Sequence, residues 1–195
     1  MKIALDIDGI IADTTQSVKI RVLEKFGLQP DDLSPGDYTN IYLLDHQETQ
    51  DAVNSYIRHL FQTSPEVYAE ADEIPGAWFG SLVLKPTAYI TRRPDQYGIA
   101  HATRNWLSRN MFFPAPVYFV PRGTCKSSQA KELGVDVLVE DSPHEIVSCR
   151  ENGLKTLVMK YPYNESVLTP ESEVVHNWDD ILSWFQAHSY LKKVV

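Results

Sequence analysis

The sequence predicts an α/β fold in which a Rossmann-like, doubly wound parallel sheet of five strands is covered by helices on both faces. Three observations support this class: short apolar runs, helical patterns between most of them, and Gly, Pro or Asp residues at most boundaries. Runs this short and rich in Val, Ile, Leu or Tyr are typical of strands buried on both faces. Strands that alternate with helices favour a parallel sheet. The five predicted strands are residues 3–7, 87–90, 116–120, 135–140 and 156–159.

Helices are predicted between the later strands. After Pro94, side chains that include Ile99 and Trp106 recur at helical spacing. Segments 127–133 and 143–152 read as helices that each end before a glycine, which is a common stop signal. The usual return of the chain in such folds places strand four beside strand one, so we expect the strand order 5-4-1-2-3. Ligands bind at the switch point of such a sheet, here between strands one and four.

The interval between the first two strands is too long for a single crossover helix, since it spans about eighty residues. Within it, Asp13 and Gln16 predict a capping box for a helix that ends at Gly27. The apolar stripe of this helix consists of Val18, Val22, Leu23 and Phe26. Residues 30–39 read as a loop. A second apolar stripe at helical spacing follows, and its members are Ala52, Val53, Tyr56, Ile57, Leu60 and Phe61.

We therefore predict two units within the chain. Residues 15–74 form a small helical cap inserted after the first strand, and residues 1–14 and 75–195 form the α/β core. Residues 77–83 form the helix that leads into the second strand. A length of 195 residues suits one domain with one sizeable insertion.

The composition excludes several classes of protein. Hydrophobic residues make up 43% and charged residues 23%, so the chain can fill a core and is not disordered as a whole. With 18 basic and 26 acidic residues the formal net charge is −8, which disfavours long nucleic acids and anionic membranes as partners. No apolar run approaches the ~18 residues of a membrane span. We expect a cytoplasmic protein, because the two cysteines form no disulfide framework or zinc motif and because Asp6 and Asp8 interrupt any leader-like run.

The strongest local signal is Asp6-Ile7-Asp8-Gly9 at the end of the first predicted strand. Alternation along an extended chain puts Asp6 and Asp8 on the same side, at the edge of the sheet where α/β proteins bind ligands. A plain turn with two solvated carboxylates is the alternative. A carboxylate that ends a buried strand needs a partner, however, because an isolated buried charge is costly.

That partner is predicted at the end of the fourth strand, in Glu140-Asp141-Ser142-Pro143. If strands one and four are neighbours, Asp6 and Asp141 face each other across the crevice. Clustered carboxylates repel one another unless a cation holds them together, and an open site of oxygen ligands suits Mg²⁺ beside a phosphate. In the alternative interpretation, Asp141 is only the N-cap of the helix that begins at Pro143.

Two further segments offer groups that bind anions. Thr91 provides a hydroxyl at the end of the second strand, and the main-chain N–H groups after it, beginning with Arg92, open a helix. Lys126 begins another helix, where a cation is unfavourable unless an anion lies nearby. The alternatives are an ordinary helix cap with Arg92 and Arg93 in solvent, and a surface lysine.

Together these four segments resemble the motifs of the haloacid dehalogenase-like (HAD) phosphohydrolases, in order and each after the expected strand. The matches are Asp6-Ile7-Asp8-Gly9 for the first motif, Thr91 for the second, Lys126 for the third and Glu140-Asp141 for the fourth. The resemblance covers residues 1 to about 159, and the insertion is similar to the C1 type of cap. It implies a Rossmann-like core and phosphomonoester hydrolysis with Mg²⁺.

More narrowly, the chain is similar to the 5′(3′)-deoxyribonucleotidase-like branch. The similar segments are Ile90-Thr91-Arg92-Arg93-Pro94, Thr103-x-x-Trp106-Leu107 and Glu140-Asp141-Ser142-Pro143. Arg92 departs from the small residue usual at its position, and the cap segment does not obviously match. These departures concern nucleotide specificity and leave the phosphoryl chemistry in place.

The resemblance implies the catalytic roles. Asp6 would be the nucleophile that forms an aspartyl-phosphate. Asp8 would protonate the leaving oxygen and then deprotonate the attacking water, for which a neighbouring carboxylate would raise its pKa.

The resemblance also implies the binding roles. The carboxylate of Asp6, the main-chain carbonyl of Asp8 and Asp141 would bind Mg²⁺, and Glu140 would orient its neighbours or bind the metal from outside. The groups that would hold the phosphoryl oxygens are Thr91, the N–H of Arg92 and Lys126.

The implied substrate is a small phosphorylated metabolite, for which a (deoxy)nucleoside monophosphate is the expected example. Four cap tyrosines are candidate contacts for a base or sugar, with packing inside the cap as the alternative: Tyr38, Tyr42, Tyr56 and Tyr68. Other substrates with the same chemistry are sugar phosphates, phospholipid head groups and nucleic-acid 3′ ends. A domain that binds a phosphorylated ligand with little catalysis is the alternative function.

Overall fold

The computed structural model describes residues 1–34, 42–43 and 47–188, and their secondary structure is that of an α/β protein. Ten strands are found in this part of the chain: β1 (Ile3–Leu5), β2 (Ala12–Asp13), β3 (Leu33–Ser34), β4 (Tyr42–Leu43), β5 (Asp72–Glu73), β6 (Ala88–Thr91), β7 (Val117–Phe119), β8 (Val137–Glu140), β9 (Lys155–Met159) and β10 (Glu173–Val175). Eight α-helices accompany them: α1 (Thr14–Phe26), α2 (Gln47–Thr63), α3 (Pro65–Ala69), α4 (Ala77–Leu84), α5 (Tyr97–Arg109), α6 (Lys126–Glu132), α7 (Pro143–Glu151) and α8 (Trp178–Ala187). None of these helices combines the length and the apolar character needed to cross a membrane.

Six of the strands form one parallel sheet in the order β10-β9-β8-β1-β6-β7. The predicted order is confirmed for the five expected strands, with β8 beside β1. The prediction of five strands was wrong by one, because β10 adds a sixth strand at the edge next to β9. β10 has only three residues and follows a 3₁₀ segment, Pro162–Val167, whereas β6, β7, β8 and β9 each follow an α-helix. The prediction relied on strands that alternate with helices, and β10 does not follow this pattern.

The register of the sheet brings the carboxyl ends of three strands together. Leu5 of β1 is paired with Tyr89 of β6 and with Val139 of β8. The main-chain N–H of Asp6 continues this pairing and donates to the carbonyl of Val139 at 3.0 Å. The residues that follow β1, β6 and β8 consequently emerge at one edge of the sheet, which is where the topology predicts a ligand site.

Both faces of the sheet are buried, as the apolar runs predict. Leu5 packs in one cluster with Trp106 and Trp178, and its neighbour Ala4 packs in a second cluster on the other face. Trp178 begins α8, which was not predicted, and its indole N–H donates to the carbonyl of Ile10 at 2.8 Å. This contact fastens the C-terminal helix to the loop that follows β1.

Helices α1, α2 and α3 pack on one another around an apolar cluster of their own. Val18 and Val22 of α1 meet Val53 and Ile57 of α2 there, so the two predicted stripes face each other. The start of α1 is also as predicted, because the Asp13 carboxylate accepts the N–H of Gln16 at 3.0 Å, which is one half of the expected capping box. The helix ends at Gly27, in a left-handed conformation.

Helix α3 was not predicted, and it fastens the cap helices to the core. The indole N–H of Trp106 donates to the carbonyl of Ala71 at 2.8 Å, and Arg109 donates to the carbonyl of Ala69 at 2.6 Å. Ile99 of α5 packs into the cap cluster. The division of the chain at residues 15 and 74 stays a prediction.

We predict that Gly80→Ala destabilises the fold, although alanine is the better helix former. Gly80 lies in α4 against Trp178, and a Cβ atom at this position would lie 2.0 Å from the indole Cε3. Overpacking of this kind costs about 1–3 kcal/mol, which exceeds the gain of roughly 1 kcal/mol in helix propensity. Urea denaturation of both proteins measures the difference. Ser55→Ala, on an exposed face of α2, is the control for a propensity gain without a clash. A Gly80→Ala variant as stable as wild type would contradict this packing.

Candidate active site

Asp6 follows β1 directly and is almost completely buried, with 4% of the residue exposed. Its Oδ1 atom accepts the main-chain N–H of Ile7 at 2.7 Å. Its Oδ2 atom lies 2.6 Å from the ammonium nitrogen of Lys126. Burial and the charge of Glu140 raise the pKa of Asp6 well above its usual value, and Lys126 opposes this only in part. The alternative of a solvated turn is wrong for Asp6.

Lys126 is a buried cation at the start of α6, with 1% of the residue exposed. Its ammonium nitrogen also lies 2.9 Å from Oε2 of Glu140. Burial opposes a charge here, but the carboxylates of Asp6 and Glu140 outweigh it and hold the pKa of Lys126 well above its usual range. The alternative of a surface lysine is therefore wrong. The anion expected near this helix start is Glu145, which accepts the main-chain N–H of Lys126 at 2.9 Å.

Three carboxylates meet at the carboxyl ends of β1 and β8: Asp6, Glu140 and Asp141. One oxygen of each lies within 4.8 Å of the others, and all three residues are buried. Burial and the charge of Asp6 raise the pKa of Asp141 to about 7. Glu140 has both oxygens occupied, Oε2 by Lys126 and Oε1 by the N–H groups of Asp141 and Ser142 at 3.1 and 3.0 Å. Three buried carboxylates this close together carry negative charge that a divalent cation with oxygen ligands would offset.

Asp141 is held against the loop that follows β1. Gly9 in that loop has a left-handed φ of 74°, and a Cβ atom there would lie 2.0 Å from Oδ2 of Asp141. The phenol of Tyr163 donates to the same oxygen. Tyr161 stacks on Tyr163 with ring centroids 5.1 Å apart and donates to the carbonyl of Gly9 at 2.9 Å. Neither tyrosine was predicted, because both lie beyond the last predicted strand. The N-cap of α7 is Ser142, so the alternative role of Asp141 is not observed.

Asp8 lies two residues beyond Asp6 but has a different partner. Its carboxylate forms an ion pair with Arg93, with Nη2 2.7 Å from Oδ1 and Nε 3.1 Å from Oδ2, and it accepts the hydroxyl of Thr14. Burial favours the neutral acid, but these contacts outweigh it and hold the pKa of Asp8 below its usual value. The expected rise in the pKa of Asp8 was wrong, because the expectation took into account only the neighbouring carboxylate. The Asp8 side chain is 23% exposed, so it also faces the cavity.

Arg93 is a buried residue of this site that the sequence analysis missed. Its guanidinium also donates to the hydroxyl of Thr103 at 3.1 Å and lies 4.5 Å from the centroid of the Tyr68 ring in α3. The alternative of a solvated side chain is therefore wrong for Arg93. No local signal distinguishes it from Arg92, because the direction of a side chain in a loop depends on packing that a sequence pattern does not carry.

Thr91 and Arg92 lie at the same edge of the sheet. The buried hydroxyl of Thr91 accepts the N–H of Arg93 at 3.1 Å. The Arg92 guanidinium reaches Glu145, with Nη2 2.5 Å from Oε1, and donates to the carbonyl of Pro121 at 2.9 Å. Glu145 lies in the first turn of α7, where a glutamate commonly interacts with the helix dipole. Because this role is common for exposed glutamates, the sequence does not indicate that the Glu145 side chain is buried. These contacts leave the predicted binding of phosphoryl oxygens by Thr91, the Arg92 N–H and Lys126 untested.

A cavity of about 340 Å³ lies between the sheet edge and the cap helices. Asp6, Asp8 and Lys126 line it from the core, and Phe61 and Tyr68 line it from the cap. The other lining residues are Arg58, Gln62, Arg92, Arg93, Pro94, Arg122, Ser142, His144 and Glu145. A concave site of this size with a few fixed polar groups suits a small ligand.

The cap tyrosines have different positions. Tyr68 lines the cavity and its phenol donates to the carbonyl of Phe61 at 2.6 Å. Tyr56 packs against the apolar cluster of the cap, which is the alternative stated for it. Tyr38 and the side chain of Tyr42 lie outside the described residues. Phe61 faces the cavity although the sequence analysis assigned it only to the apolar stripe.

Solved structures with the same fold include several described as HAD hydrolases. One is a HAD-superfamily hydrolase of subfamily IA, variant 1, from Geobacter sulfurreducens, with 15% identity and a TM-score of 0.56 over 94% of this chain and 95% of that one. A second, described as the HAD-hydrolase YfnB from Bacillus subtilis bound to magnesium, has 13% identity and a TM-score of 0.58 over 95% and 98%. A third is a β-phosphoglucomutase from Clostridium difficile, with 14% identity and a TM-score of 0.53 over 97% and 96%. Identities this low show the fold alone. A comparison with curated proteins found no match.

A family model covers nearly the whole chain. The model described as 5′ nucleotidase, deoxy (pyrimidine), cytosolic type C protein (NT5C) matches residues 1–189, which include every element from β1 to α8. The match confirms the resemblance to HAD-like phosphohydrolases. It also confirms the prediction that the protein is an enzyme that hydrolyses phosphoric monoesters. The chain belongs to the family of cytosolic type C 5′ (deoxy)nucleotidases within the HAD-like phosphohydrolases.

Proposed function

We propose that this protein is a Mg²⁺-dependent nucleotidase that hydrolyses a nucleoside monophosphate through an aspartyl-phosphate. The observation that carries the proposal is the buried Asp6 carboxylate, held by Lys126 at the cavity and followed two residues later by the differently paired Asp8. Phosphoryl transfer to a carboxylate needs a nucleophile, a fixed cation and a proton carrier within reach. Membership of the family supports a nucleotide as the substrate.

Asp6 is the proposed nucleophile. A carboxylate oxygen forms a bond to phosphorus while the bond from phosphorus to the leaving oxygen breaks. The Lys126 ammonium offsets the charge of this carboxylate, which allows an anionic phosphoryl group to approach it. In the second step the oxygen of a water molecule attacks the same phosphorus, the carboxylate leaves, and inorganic phosphate and Asp6 are regenerated.

Asp8 is the proposed proton carrier. Its ion pair with Arg93 keeps it ionised before substrate binds, so the proton that it donates arrives with the substrate. A phosphomonoester has a second pKa of about 6 and is partly protonated near neutral pH. Through Asp8 this proton passes to the leaving oxygen in the first step, and the carboxylate then takes a proton from the attacking water in the second.

The proposed metal ligands are the carboxylates of Asp6 and Asp141 and the main-chain carbonyl of Asp8. The clustered carboxylates and the raised pKa of Asp141 indicate negative charge that a divalent cation would neutralise. Bound Mg²⁺ would draw charge from the phosphoryl oxygens. Because both oxygens of Glu140 already accept hydrogen bonds, its proposed role is to orient Lys126 and the loop after β8.

The rest of the substrate is proposed to contact the cap. Phe61 and Tyr68 offer aromatic surface in the cavity to a base or a sugar. The phosphoryl oxygens are proposed to bind Thr91, the N–H of Arg92 and Lys126. In this arrangement the cap encloses the leaving group and the core encloses the phosphoryl group. The cap then selects the substrate, and the core carries out phosphoryl transfer.

The proposed location is the cytoplasm. Cys125 and Cys149 are free thiols, as a reducing compartment favours. A net charge of −8 suits a small phosphorylated substrate that is bound through local cations and a metal, and it disfavours a long nucleic acid.

We predict that the protein hydrolyses p-nitrophenyl phosphate and at least one nucleoside monophosphate with Mg²⁺, and neither in excess EDTA. Asp6→Asn should lower turnover by more than about 10³-fold, because an amide oxygen is a poor nucleophile. Acid quenching with ³²P-labelled substrate should trap labelled wild-type protein and no labelled variant. The control is Asp72→Asn, which alters an exposed carboxylate in β5. Full turnover in EDTA, or label on the Asp6→Asn protein, would sink the mechanism.

We predict that loss of Asp8 matters in proportion to the basicity of the leaving group. In Asp8→Asn, release of a nucleoside in the first step should fall by about 10²–10⁴-fold, while a burst of p-nitrophenol persists because aryl oxide leaves without a proton. Steady turnover should be slow for both substrates, since the second step lacks its base. Rapid mixing measures the two bursts, and circular dichroism first verifies folding, because Arg93 loses its anion. Equal loss of both bursts would show that Asp8 does not serve the leaving group.

We predict that Asp141→Asn stabilises the metal-free protein at high pH. The pKa of Asp141 is about 7 in the folded state and about 3.9 in the unfolded state, so between these values only the folded state holds the proton. The contribution of this group to stability is therefore present below pH 4 and is lost as pH rises through 7. In EDTA at pH 8, urea denaturation should find the variant more stable by up to about 4 kcal/mol, with little difference near pH 4. Saturating Mg²⁺ should reverse the order at pH 8, and a variant less stable in EDTA at that pH would contradict the assignment.

A further inference from the structure

Five lysine or arginine side chains line the cavity, and three of them have carboxylate partners. These pairs are Arg93 with Asp8, Lys126 with Asp6 and Arg92 with Glu145. The other two are Arg58 and Arg122, which are exposed. Across the described residues, neither of these two side chains forms an ion pair or a hydrogen bond. Two guanidinium groups of this cavity are therefore available to an anion.

The two arginines come from different parts of the fold. Arg58 lies on α2 of the cap, one turn before Gln62, and Arg122 lies in the loop that follows β7. A groove of about 480 Å³ continues from the cavity along Gln62 and Arg122. Asp95 also lines this groove, and it makes no ion pair with Arg122. The cavity is thus lined by one of these arginines from the cap helix α2 and by the other from the loop after β7.

The reacting phosphoryl group does not account for these two side chains. It must reach Asp6, which is 4% exposed and lies beside Lys126 and the proposed metal ligands, whereas Arg58 and Arg122 are both exposed. A single solvated arginine is ordinary. Two of them in one cavity repel each other, and the carboxylates that line this cavity, Asp6, Asp8 and Glu145, already pair with other cations. The planar guanidinium matches phosphate and carboxylate in two-point contacts.

We propose that Arg58 and Arg122 bind a second anionic group of the substrate, so that the preferred substrate class is a phosphomonoester that carries a further phosphate or carboxylate. This inference rests on the proposed function, because it requires the first phosphoryl group to lie at Asp6. A nucleoside with phosphates on both its 3′ and 5′ oxygens has this chemistry, and so does a phosphorylated carboxylic acid. The cap arginine and the core arginine would close on the second anion from two sides.

The test uses straight-chain alkyl phosphates that differ only in the group at the far end. Chains of three to eight carbons carry a phosphate at one end and a hydroxyl, a carboxylate or a second phosphate at the other, and thymidine 5′-monophosphate and thymidine 3′,5′-bisphosphate form a matched rigid pair. We expect an anionic far end to raise kcat/KM by about 10–100-fold over the hydroxyl at one optimal length, as charge-assisted contacts to two guanidinium groups imply. The end group with the larger gain identifies phosphate or carboxylate as the second anion.

Variants assign the effect to the two side chains. In Arg58→Gln and Arg122→Gln the ratio of kcat/KM for the anionic and hydroxyl ends should fall about 5–30-fold each, and Arg58→Lys should keep part of it. Arg150→Gln is the control, because it removes one positive charge from an exposed side chain outside this cavity. An equal rate for all three far ends, or a preference that Arg58→Gln and Arg122→Gln leave intact, overturns the inference while the proposed function stands. Failure to hydrolyse even p-nitrophenyl phosphate overturns the proposed function itself.

Discussion

The buried ammonium of Lys126 is the contact on which the site depends, because it lies between carboxylates from two different strands. Asp6 follows β1 and Glu140 ends β8, and the order of the parallel sheet makes these strands neighbours. Two carboxylates this close and this buried repel each other and have lost their hydration. The ammonium, 2.6 Å from one and 2.9 Å from the other, offsets both effects. The strand order thus brings the two carboxylates together, and the ammonium stabilises them there.

Asp6 and Asp8 differ because of their partners, although they are the same residue type two positions apart. Burial and neighbouring carboxylates raise the pKa of Asp6, whereas Arg93 and Thr14 lower that of Asp8. Alternation along the chain would have placed both in one environment. The turn after β1, in which Gly9 has a left-handed φ, instead leaves one carboxylate beside Lys126 and the other beside an arginine from the loop after β6. The two carboxylates therefore differ in proton affinity because of their partners and not because of their residue type.

The sequence predicts those features that local patterns encode. Apolar runs and chain direction predict the strands around the site and the order that places β8 beside β1. Positions at the ends of strands and helices predict that Asp6, Asp141 and Lys126 lie in the site. Features that depend on tertiary packing were missed. The three residues of β10 carry too little pattern, and the burial of Arg93 is decided by Asp8 and Tyr68, which are distant in sequence. Loop side chains have no periodicity from which their direction can be inferred.

Arg93 also connects the core to the cap, and its two main contacts differ in strength. Toward Asp8 it makes several charge-assisted hydrogen bonds, each worth about 1.5–3 kcal/mol. Toward the cap it has the face of the Tyr68 ring, a contact worth about 0.5–2 kcal/mol. The ion pair with Asp8 is the stronger of the two contacts, and the cation–π contact with Tyr68 is the weaker. The position of the Arg93 guanidinium is therefore set mainly by Asp8, and the Tyr68 ring adds a weaker contact from α3.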